Sequence, residues 1–406
     1  MKRPLNRLIS VALAVLSLAG LPAVLATDLK FQLGSGEPQS GFMRVWPTNV
    51  YFQKIQYGFD LSTDGADDKP FFFSVAVPEG NYLVTVKLGD AREASTNTVK
   101  AETRRLMLER VVTVPGKFET RSVTVNVRTP RIAGGGEVRL KAREQGVLHW
   151  DDKLTLEFNG ARPRLQTIEI TPVTNAITVF LAGDSTVTDQ PNEPWNSWGQ
   201  MLTRFFKPDV AVANHAESGE SLKSSLSARR IEKILSAIRP GDYLFVQFGH
   251  NDMKDRATNA VAVYKENLKR LVRDVRARDA TPVLVTSMER KGGVTRDTLA
   301  EYPQTMRDVA REDSVALIDL HAMSRKLYVA LGMELDRAFQ DGTHHNAYGS
   351  YEMARCVMQG IRDLKLPLAK FIADDVGEFN PAKPDSLAAF NVPASPNKSV
   401  VKPDGN

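Results

Sequence analysis

The sequence predicts a two-part α/β chain, in which an antiparallel β-sandwich precedes a three-layer α/β/α domain with a parallel sheet. Between residues 30 and 172, apolar and polar residues alternate with period two, and turn residues separate the runs. From residue 176 onward, unbroken apolar runs alternate with helix-like stretches. After residue 374 the periodicity ends and Pro, Asn, Lys and Ser dominate, which predicts an irregular surface tail over residues 374–406.

The first 26 residues differ in composition from the rest of the chain. Three basic residues precede an apolar run over residues 8–26, which ends at Ala26. This order is typical of a secretory signal peptide. The alternative is a transmembrane anchor, which needs about 20 apolar residues, but Gly20 and Pro22 interrupt the run. We therefore expect residues 1–26 to be removed, leaving a secreted or periplasmic protein with no integral membrane span.

Charge and cysteine content exclude several classes of protein. The net charge is +5, and removal of the three basic residues of the leader leaves 5 − 3 = +2. No basic run is interleaved with aromatic residues, so we expect no nucleic-acid partner. The chain has one cysteine, Cys356, and hence no internal disulfide. Because Cys and His do not cluster at ligand spacing, we expect no metal site.

The N-terminal part, residues 27–172, has the pattern of a β-sandwich. Val123, Val125 and Val127 alternate with polar residues, as do the apolar residues around Leu156. Turn signals with Pro or Gly stand at residues 78–80, 115–116 and 134–136. Many short strands at this spacing predict two packed antiparallel sheets. We expect this part to be a separate unit that helps polymer binding.

The C-terminal part, residues 173–373, has the pattern of a parallel sheet with helical crossovers. The predicted strands span residues 177–183, 210–214, 242–248, 282–286 and 315–319. The predicted helices span residues 222–238, 258–278, 298–311, 321–331 and 348–364. Strands buried on both faces read as continuous apolar runs. In such sheets the ligand binds at the carboxyl ends of the strands.

Four polar segments lie where that edge is predicted. They read "GDST" from residue 183, "NHAESGES" from 214, "FGHND" from 248 and "DGTHHNAYG" from 341. Each segment alone has a structural explanation as a turn or a helix cap. Together they supply a hydroxyl, a base, an acid and amide donors. Ester hydrolysis by a nucleophilic serine requires these groups.

These segments resemble, in order, the conserved blocks of the SGNH (GDSL) hydrolases over about residues 176–364. The resemblance implies that Ser185 is the nucleophile, His344 the general base and Asp341 the group that orients it. It also implies an oxyanion hole formed by the backbone N–H groups of Ser185 and Gly219 and the side-chain amide of Asn251. No cofactor is required by this chemistry.

Thr186 stands where the common lipase form of the family has leucine. With "FGHND" and "DGTHHNAYG", this resembles the rhamnogalacturonan acetylesterase branch, which removes acetyl groups from pectin. The N-terminal sandwich resembles the galactose-binding-like modules that precede such esterases. The resemblance therefore implies a secreted carbohydrate esterase acting on acetylated plant cell-wall polysaccharide. Two alternatives remain, an esterase or lysophospholipase for acyl lipids and a carbohydrate-binding protein with an inactive hydrolase domain. The oligomeric state is left open.

Several other residues near these segments have competing interpretations. His345 is the rival of His344 for the role of base, and the Asp-x-x-His spacing favours His344. We interpret His215 and His250 as local hydrogen-bonding residues. Trp195 is a candidate for stacking on a sugar ring.

Overall fold

A computed structural model describes residues 28–34, 36–65 and 68–404. The predicted signal peptide, residues 1–26, lies outside the described residues. Within these ranges, no helix combines the length and apolar character needed to cross a bilayer.

The N-terminal part folds into two five-stranded sheets within the described residues. One sheet has the order β2-β1-β10-β5-β8 and the other the order β3-β4-β9-β6-β7. Neighbouring strands pair antiparallel, except for the short parallel pair β1–β2. The strands are β1 (Leu29–Gln32), β2 (Met43–Arg44), β3 (Tyr57–Asp60), β4 (Phe71–Ala76), β5 (Gly80–Gly89), β6 (Ser95–Ala101), β7 (Arg105–Thr113), β8 (Phe118–Val127), β9 (Lys153–Asn159) and β10 (Leu165–Val173).

One hydrophobic cluster joins side chains from both of these sheets. Val84 and Val86 of β5 contribute from the first sheet, and Val99 of β6 and Leu156 of β9 from the second. Along β5, buried residues such as Val84 and Val86 alternate with partly exposed residues. The period-two pattern of the sequence is thus the pattern of a strand with one face on a core.

The C-terminal part contains a five-stranded parallel sheet, as the sequence predicts. Its order is β12-β11-β13-β14-β15, and every neighbouring pair is parallel. The strands are β11 (Ile177–Gly183), β12 (Val210–Asn214), β13 (Tyr243–Gln247), β14 (Thr281–Val285) and β15 (Ala316–Ile318). The helices are α1 (Trp198–Leu202), α2 (Leu222–Ser227), α3 (Arg230–Ala237), α4 (Ala260–Arg276), α5 (Tyr302–Glu312), α6 (Leu320–Leu331) and α7 (Ala347–Asp363).

Helices cover both faces of this parallel sheet. On one face, Val179 and Leu181 of β11 share a cluster with residues of α1, α6 and α7. On the other, Phe180 and Ala182 share a cluster with residues of α2 to α5. Consecutive strand residues therefore pack in opposite directions, which confirms the three-layer α/β/α arrangement and explains the unbroken apolar run.

Two helices differ from the prediction. The predicted helix over residues 222–238 is broken into α2 and α3, because Arg229 has a φ of 62° and Ala228 O accepts a hydrogen bond from Arg139 N at 2.9 Å. The helix predicted from residue 298 begins at Tyr302, with Pro303 in its first turn. The sequence pattern also missed the short α1, which follows the candidate nucleophile segment.

The strand order places residue 185 at a special point of the sheet. β11 lies between β12 and β13, so the chain leaves β11 first to one side and later returns on the other. Open α/β sheets bind ligands at such a switch point, beyond the carboxyl ends of the strands. Ser185 lies two residues beyond the end of β11, and Asn214 and Gln247 end the two flanking strands.

Gly199 in α1 offers a test of how tightly this region is packed. A Cβ at Gly199 would lie 2.2 Å from Val187 O and 3.0 Å from Asn214 Nδ2. We expect Gly199→Ala to lower the free energy of unfolding by about 1–3 kcal/mol, because such contacts force backbone shifts. At Gly292 the nearest atom is 3.9 Å away, so Gly292→Ala is the matched control. Urea unfolding curves that coincide for the two variants would contradict this packing.

Candidate active site

Ser185 and His344 are in hydrogen-bonding contact although 159 residues separate them in the sequence. The Ser185 hydroxyl donates to His344 Nε2 across 2.8 Å. Ser185 is placed by the end of β11, and His344 by the loop that precedes α7. Both side chains are about 1% exposed. A serine hydroxyl so placed can pass its proton to the imidazole when it attacks a carbonyl.

Asp341 holds the other side of the His344 ring. His344 Nδ1 lies 2.8 Å from Asp341 Oδ2, and Asp341 Oδ1 accepts the backbone N–H groups of Thr343 and His344 at 2.7 Å each. Burial by itself raises the pKa of Asp341, but the contact with His344 and these N–H donors outweigh it and hold the pKa well below its usual range. The carboxylate is therefore ionised, and it selects the tautomer that leaves Nε2 free to accept from serine.

Hydrogen bonds connect the predicted oxyanion residues with the segment that carries Ser185. Gln190 Nε2 donates to Ser185 O at 2.7 Å and to Ser218 Oγ at 3.3 Å, which places the neighbour of Gly219 beside the serine. Asn251 Nδ2 donates to Glu220 O at 3.1 Å, on the other side of the same glycine. Gly219 has a φ of 77°, a conformation in which a side chain is strained.

Two lysines contact this site that the sequence analysis did not identify. Lys254 Nζ donates to Asn251 Oδ1 at 2.9 Å, which fixes the orientation of the amide so that Nδ2 faces Glu220 O. Lys402 Nζ lies 3.3 Å from Asp341 Oδ2. Lys254 lies three residues after Asn251, a spacing from which a contact within one helical turn could have been predicted. Lys402 lies in the tail, where no periodic signal exists.

Asp184 and His250 form a buried pair beneath the nucleophile. His250 Nδ1 lies 3.1 Å from Asp184 Oδ2, and His250 Nε2 lies 2.9 Å from Met288 O. Burial raises the pKa of Asp184, but His250 and the hydrogen bonds of Thr186 more than offset this and lower it. The interpretation of His250 as a local hydrogen-bonding residue agrees with these contacts.

Thr186 has a structural reason to replace leucine at this position. Its N–H and Oγ1 donate to Asp184 Oδ1 at 2.9 and 2.7 Å, and Gln247 Nε2 donates to its Oγ1 at 2.6 Å. Thr186 is 2% exposed. A leucine has no group for either Asp184 or Gln247 at this site, and would leave a buried amide without its partner.

The rival histidine, His345, points away from Ser185. Its Nε2 lies 3.1 Å from the Tyr328 hydroxyl, and its ring lies 4.1 Å from that of Phe339, centroid to centroid. Burial, followed by repulsion from other histidines, lowers the pKa of His345 to about 3, so its ring is neutral. His345 is thus part of the packing between α6 and the loop.

The other aromatic and histidine residues near these segments divide between core and site. Trp198 is buried and its Nε1 donates to Gln247 Oε1 at 2.9 Å. His215 is buried against the rings of Trp150 and Phe180. Trp195 is half-buried and its ring lies edge-on to that of His344, with centroids 5.7 Å apart. Of these, Trp195 is the one in contact with the Ser185–His344 pair.

A cavity of about 180 Å³ lies beside these residues. The segment after Ser185, the segment before Gly219, the stretch between β8 and β9 and the C-terminal tail all contribute to its wall. Its lining includes Thr188, Gln190, Trp195, Glu217, Ser218, Arg143, His149 and Lys402. The cavity is therefore shared by both parts of the chain.

Within the part of the chain that the structure describes, two groups of acidic and histidine side chains approach ligand spacing for a metal ion. They are Glu144 with His149 and Glu217, and Glu289 with Asp297 and His321. Cations already contact the first group, because Arg143 Nη2 lies 2.7 Å from Glu217 Oε1 and Arg230 pairs with Glu144. In the second group, Glu289 accepts hydrogen bonds from Thr298. Carboxylates of both groups are therefore engaged in ion pairs or hydrogen bonds with neighbouring residues.

Comparison with known proteins gives matches centred on the same region. Residues 181–350 match the GDSL-like Lipase/Acylhydrolase family. Rhamnogalacturonan acetylesterase RhgT of Bacillus subtilis is 37% identical over 224 residues, which cover 50% of this chain and 97% of that protein. The probable rhamnogalacturonan acetylesterase YesY of the same organism is 35% identical over 211 residues, covering 48% and 96%.

A third relative matches a longer part of the chain. The uncharacterized esterase YxiM of Bacillus subtilis is 26% identical over 389 residues, covering 87% of this chain and 96% of that protein. The parallel α/β/α sheet and the four segments at its carboxyl edge agree with these matches. The chain belongs to the GDSL-like lipase/acylhydrolase family of SGNH hydrolases, is similar to its rhamnogalacturonan acetylesterases, and is a serine carboxylic ester hydrolase.

Proposed function

We propose that this protein is a secreted carbohydrate esterase that removes O-acetyl groups from plant cell-wall polysaccharide, pectin of the rhamnogalacturonan type, by a Ser-His-Asp mechanism. The observation that carries the chemistry is the continuous chain of hydrogen bonds from Ser185 through His344 to Asp341. The relatives named as rhamnogalacturonan acetylesterases support the substrate class.

In the first half of the reaction, Ser185 Oγ attacks the acetyl carbonyl carbon while its proton passes to His344 Nε2. The tetrahedral intermediate collapses as His344 returns that proton to the sugar oxygen, which leaves as a free hydroxyl. The acetyl group is then held on Ser185 as an ester. Asp341 stays ionised throughout and stabilises the imidazolium.

In the second half, water replaces the sugar. His344 takes a proton from the water as it attacks the acetyl-serine carbonyl. The second tetrahedral intermediate then collapses as His344 returns that proton to Ser185 Oγ, which releases acetic acid and restores the serine hydroxyl. In both intermediates the oxyanion is held by the backbone N–H groups of Ser185 and Gly219 and by Asn251 Nδ2. These donors are fixed in advance, which makes them worth more to the transition state than to the substrate.

The charges around the site support a polyanionic substrate over a neutral glycan. Lys254, Arg290 and Lys402 lie close enough that burial first, and then repulsion from the other two, lowers the pKa of Lys254. Lys254 contacts Asn251, Arg290 Nη2 donates to His250 O at 3.3 Å, and Lys402 contacts Asp341. Uronate carboxylates of a pectin chain complement these three cationic side chains, because cations raise the local concentration of anionic ligands.

The domain assignment and location belong to the same proposal. We propose a signal peptide over residues 1–26, a galactose-binding-like β-sandwich over 27–172, the hydrolase domain over 173–373 and an irregular tail over 374–406. The two facing sheets support the sandwich. The leader composition supports export. Detection of a mature N-terminus after Ala26 in the culture medium or periplasm tests the location.

Acetate release from a panel of polymers tests the substrate. We expect release from acetylated rhamnogalacturonan to exceed release from acetylated xylan and from long-chain acyl esters. Ser185→Ala should fold normally and lose nearly all activity on every ester, because no other hydroxyl contacts His344 Nε2 among the described residues. A serine-directed phosphonate should label Ser185. Labelling at another serine, or equal activity in the variant, would refute the mechanism, whereas a preference for xylan would refute only the substrate.

Paired histidine substitutions test the choice of base. We expect His344→Ala to lower kcat at least about a thousandfold, since it removes the group that takes the serine proton. His345→Ala removes a packing contact with Phe339 and should mainly lower the melting temperature. Steady-state kinetics and thermal unfolding of both variants separate the two effects. If His345→Ala were inactive and His344→Ala active, the assignment would be reversed.

Substitution of Asn251 tests the oxyanion hole. Asn251→Ala should lower kcat by about 10² to 10³, or roughly 3 to 4 kcal/mol, with little change in KM, because the donor acts on the developing charge. Asn251→Asp should be worse, since a carboxylate cannot donate and repels the oxyanion. Asn380→Ala, on the exposed tail, is the control. An Asn251→Ala enzyme within a few-fold of wild type would place the third donor elsewhere.

A further inference from the structure

The turn between β6 and β7 is polar in sequence and buried in the structure. It consists of Glu102, Thr103 and Arg104, and with Arg105, the first residue of β7, it is here called the 102–105 turn; none of the four is more than 4% exposed. Glu102 and Arg104 have φ values of 54° and 60°. Side chains other than glycine rarely adopt this conformation and keep it only where the surroundings hold them. The surroundings here are the segment that carries Ser185.

Arg104 and Thr103 bind that segment through its backbone. Arg104 Nη1 donates to Gln190 O and to Trp195 O, each at 3.0 Å. Gln200 Nε2 donates to Thr103 O at 2.8 Å and to Gln190 O at 2.9 Å. Since the side chain of Gln190 in turn donates to Ser185 O at 2.7 Å, the turn is two hydrogen bonds away from the nucleophile.

Arg105 makes a second, ionic connection. Its Nε lies 3.3 Å from Asp189 Oδ2, and its Nη1 donates to Val212 O at 3.0 Å. Asn214 Nδ2 donates to Asp189 Oδ1 at 2.8 Å and to Val187 O at 2.6 Å. Asp189 is about 1% exposed. A carboxylate buried to this extent needs its cation, so Arg105 holds the middle of the segment in place.

We propose that the 102–105 turn is a positioning element of the esterase, so that the N-terminal sandwich is a working part of the active site. The turn holds residues 185–190 in the geometry that keeps Ser185 Oγ within reach of His344. This inference rests on the proposed role of Ser185 and not on any particular polysaccharide. It departs from the expectation that the sandwich is an independent unit for polymer binding.

An independent binding module and a positioning turn have different effects on the hydrolysis of small esters. A detachable binding module contributes affinity for polymer and leaves the hydrolysis of a small ester unchanged. A positioning turn acts on the nucleophile, so it affects kcat for every ester, including one that cannot reach the sandwich. A chain that starts at Thr174 would leave Asp189 without Arg105 and the carbonyl of Gln190 without Arg104.

The experiment measures 4-nitrophenyl acetate hydrolysis by the mature chain with both parts present. We expect Asp189→Asn and Arg105→Met each to lower kcat about ten- to a hundredfold with KM changed by less than about twofold, since a small displacement of a reacting group costs this much. The double variant should be no slower than the slower single variant, because both substitutions break one connection. Lys153→Met is the matched control. It removes the cation of the Lys153–Asp60 pair (2.9 Å) within the sandwich, and kcat should not change.

Folding is checked by thermal unfolding, and Arg104→Met serves if Arg105→Met does not fold, because it leaves the Arg105–Asp189 pair intact. Folded variants should also react more slowly with a serine-directed phosphonate. Wild-type rates in folded Asp189→Asn and Arg104→Met, multiplicative effects in the double variant, or an equal loss in Lys153→Met would overturn the inference. Wild-type enzyme without any Ser185-dependent hydrolysis would instead overturn the proposed function.

Discussion

The hydrogen bond between Ser185 Oγ and His344 Nε2 is the contact on which the rest of the hydrolase part depends. It joins the end of the first strand of the parallel sheet to the loop before the last helix, so the whole domain must close correctly for the two groups to meet. A further hydrogen bond holds each partner. Gln190 donates to Ser185 O, and Asp341, which accepts a backbone N–H of its own loop, contacts the imidazole. A reacting pair held on both sides loses little entropy in the reaction, which is how a rigid site accelerates it.

Electrostatics in this site follow from burial combined with specific partners. Asp184 is buried and Asp341 is half-buried, which raises the pKa of a carboxyl, yet both keep a lowered pKa because a histidine and hydrogen-bond donors face them. Asp252, buried with fewer donors and near Asp184, has its pKa raised to about 7. The same residue type is thus ionised where the proposed chemistry needs an anion and is more easily protonated where it accepts from Leu222 N at the start of α2.

Contact between the two parts of the chain is polar and deeply buried, unlike the mobile linkage expected between independent modules. Arginines of the N-terminal part bind backbone carbonyls and a carboxylate of the hydrolase part. The tail adds to this contact, since Ser395 N donates to Glu193 Oε1 at 3.0 Å and Ser395 Oγ to Glu157 Oε2 at 2.7 Å. The tail then continues to Lys402 beside Asp341. Residues from three distant stretches therefore surround one cavity.

The sequence by itself determined the class of fold and the identity of the residues at the sheet edge. Periodicity records which face of an element is buried, and the four segments follow strand ends whose place in a parallel sheet is set by topology. The Asp-x-x-His spacing already favoured His344, but only the tertiary structure showed that His345 packs on Phe339, because neighbouring side chains on a loop are directed by long-range contacts. It also decided the contacts of the 102–105 turn and of Lys402. A polar turn and an aperiodic tail look solvent-exposed in any local window, and their partners lie roughly 60 to 90 residues or more away, where no sequence pattern records them.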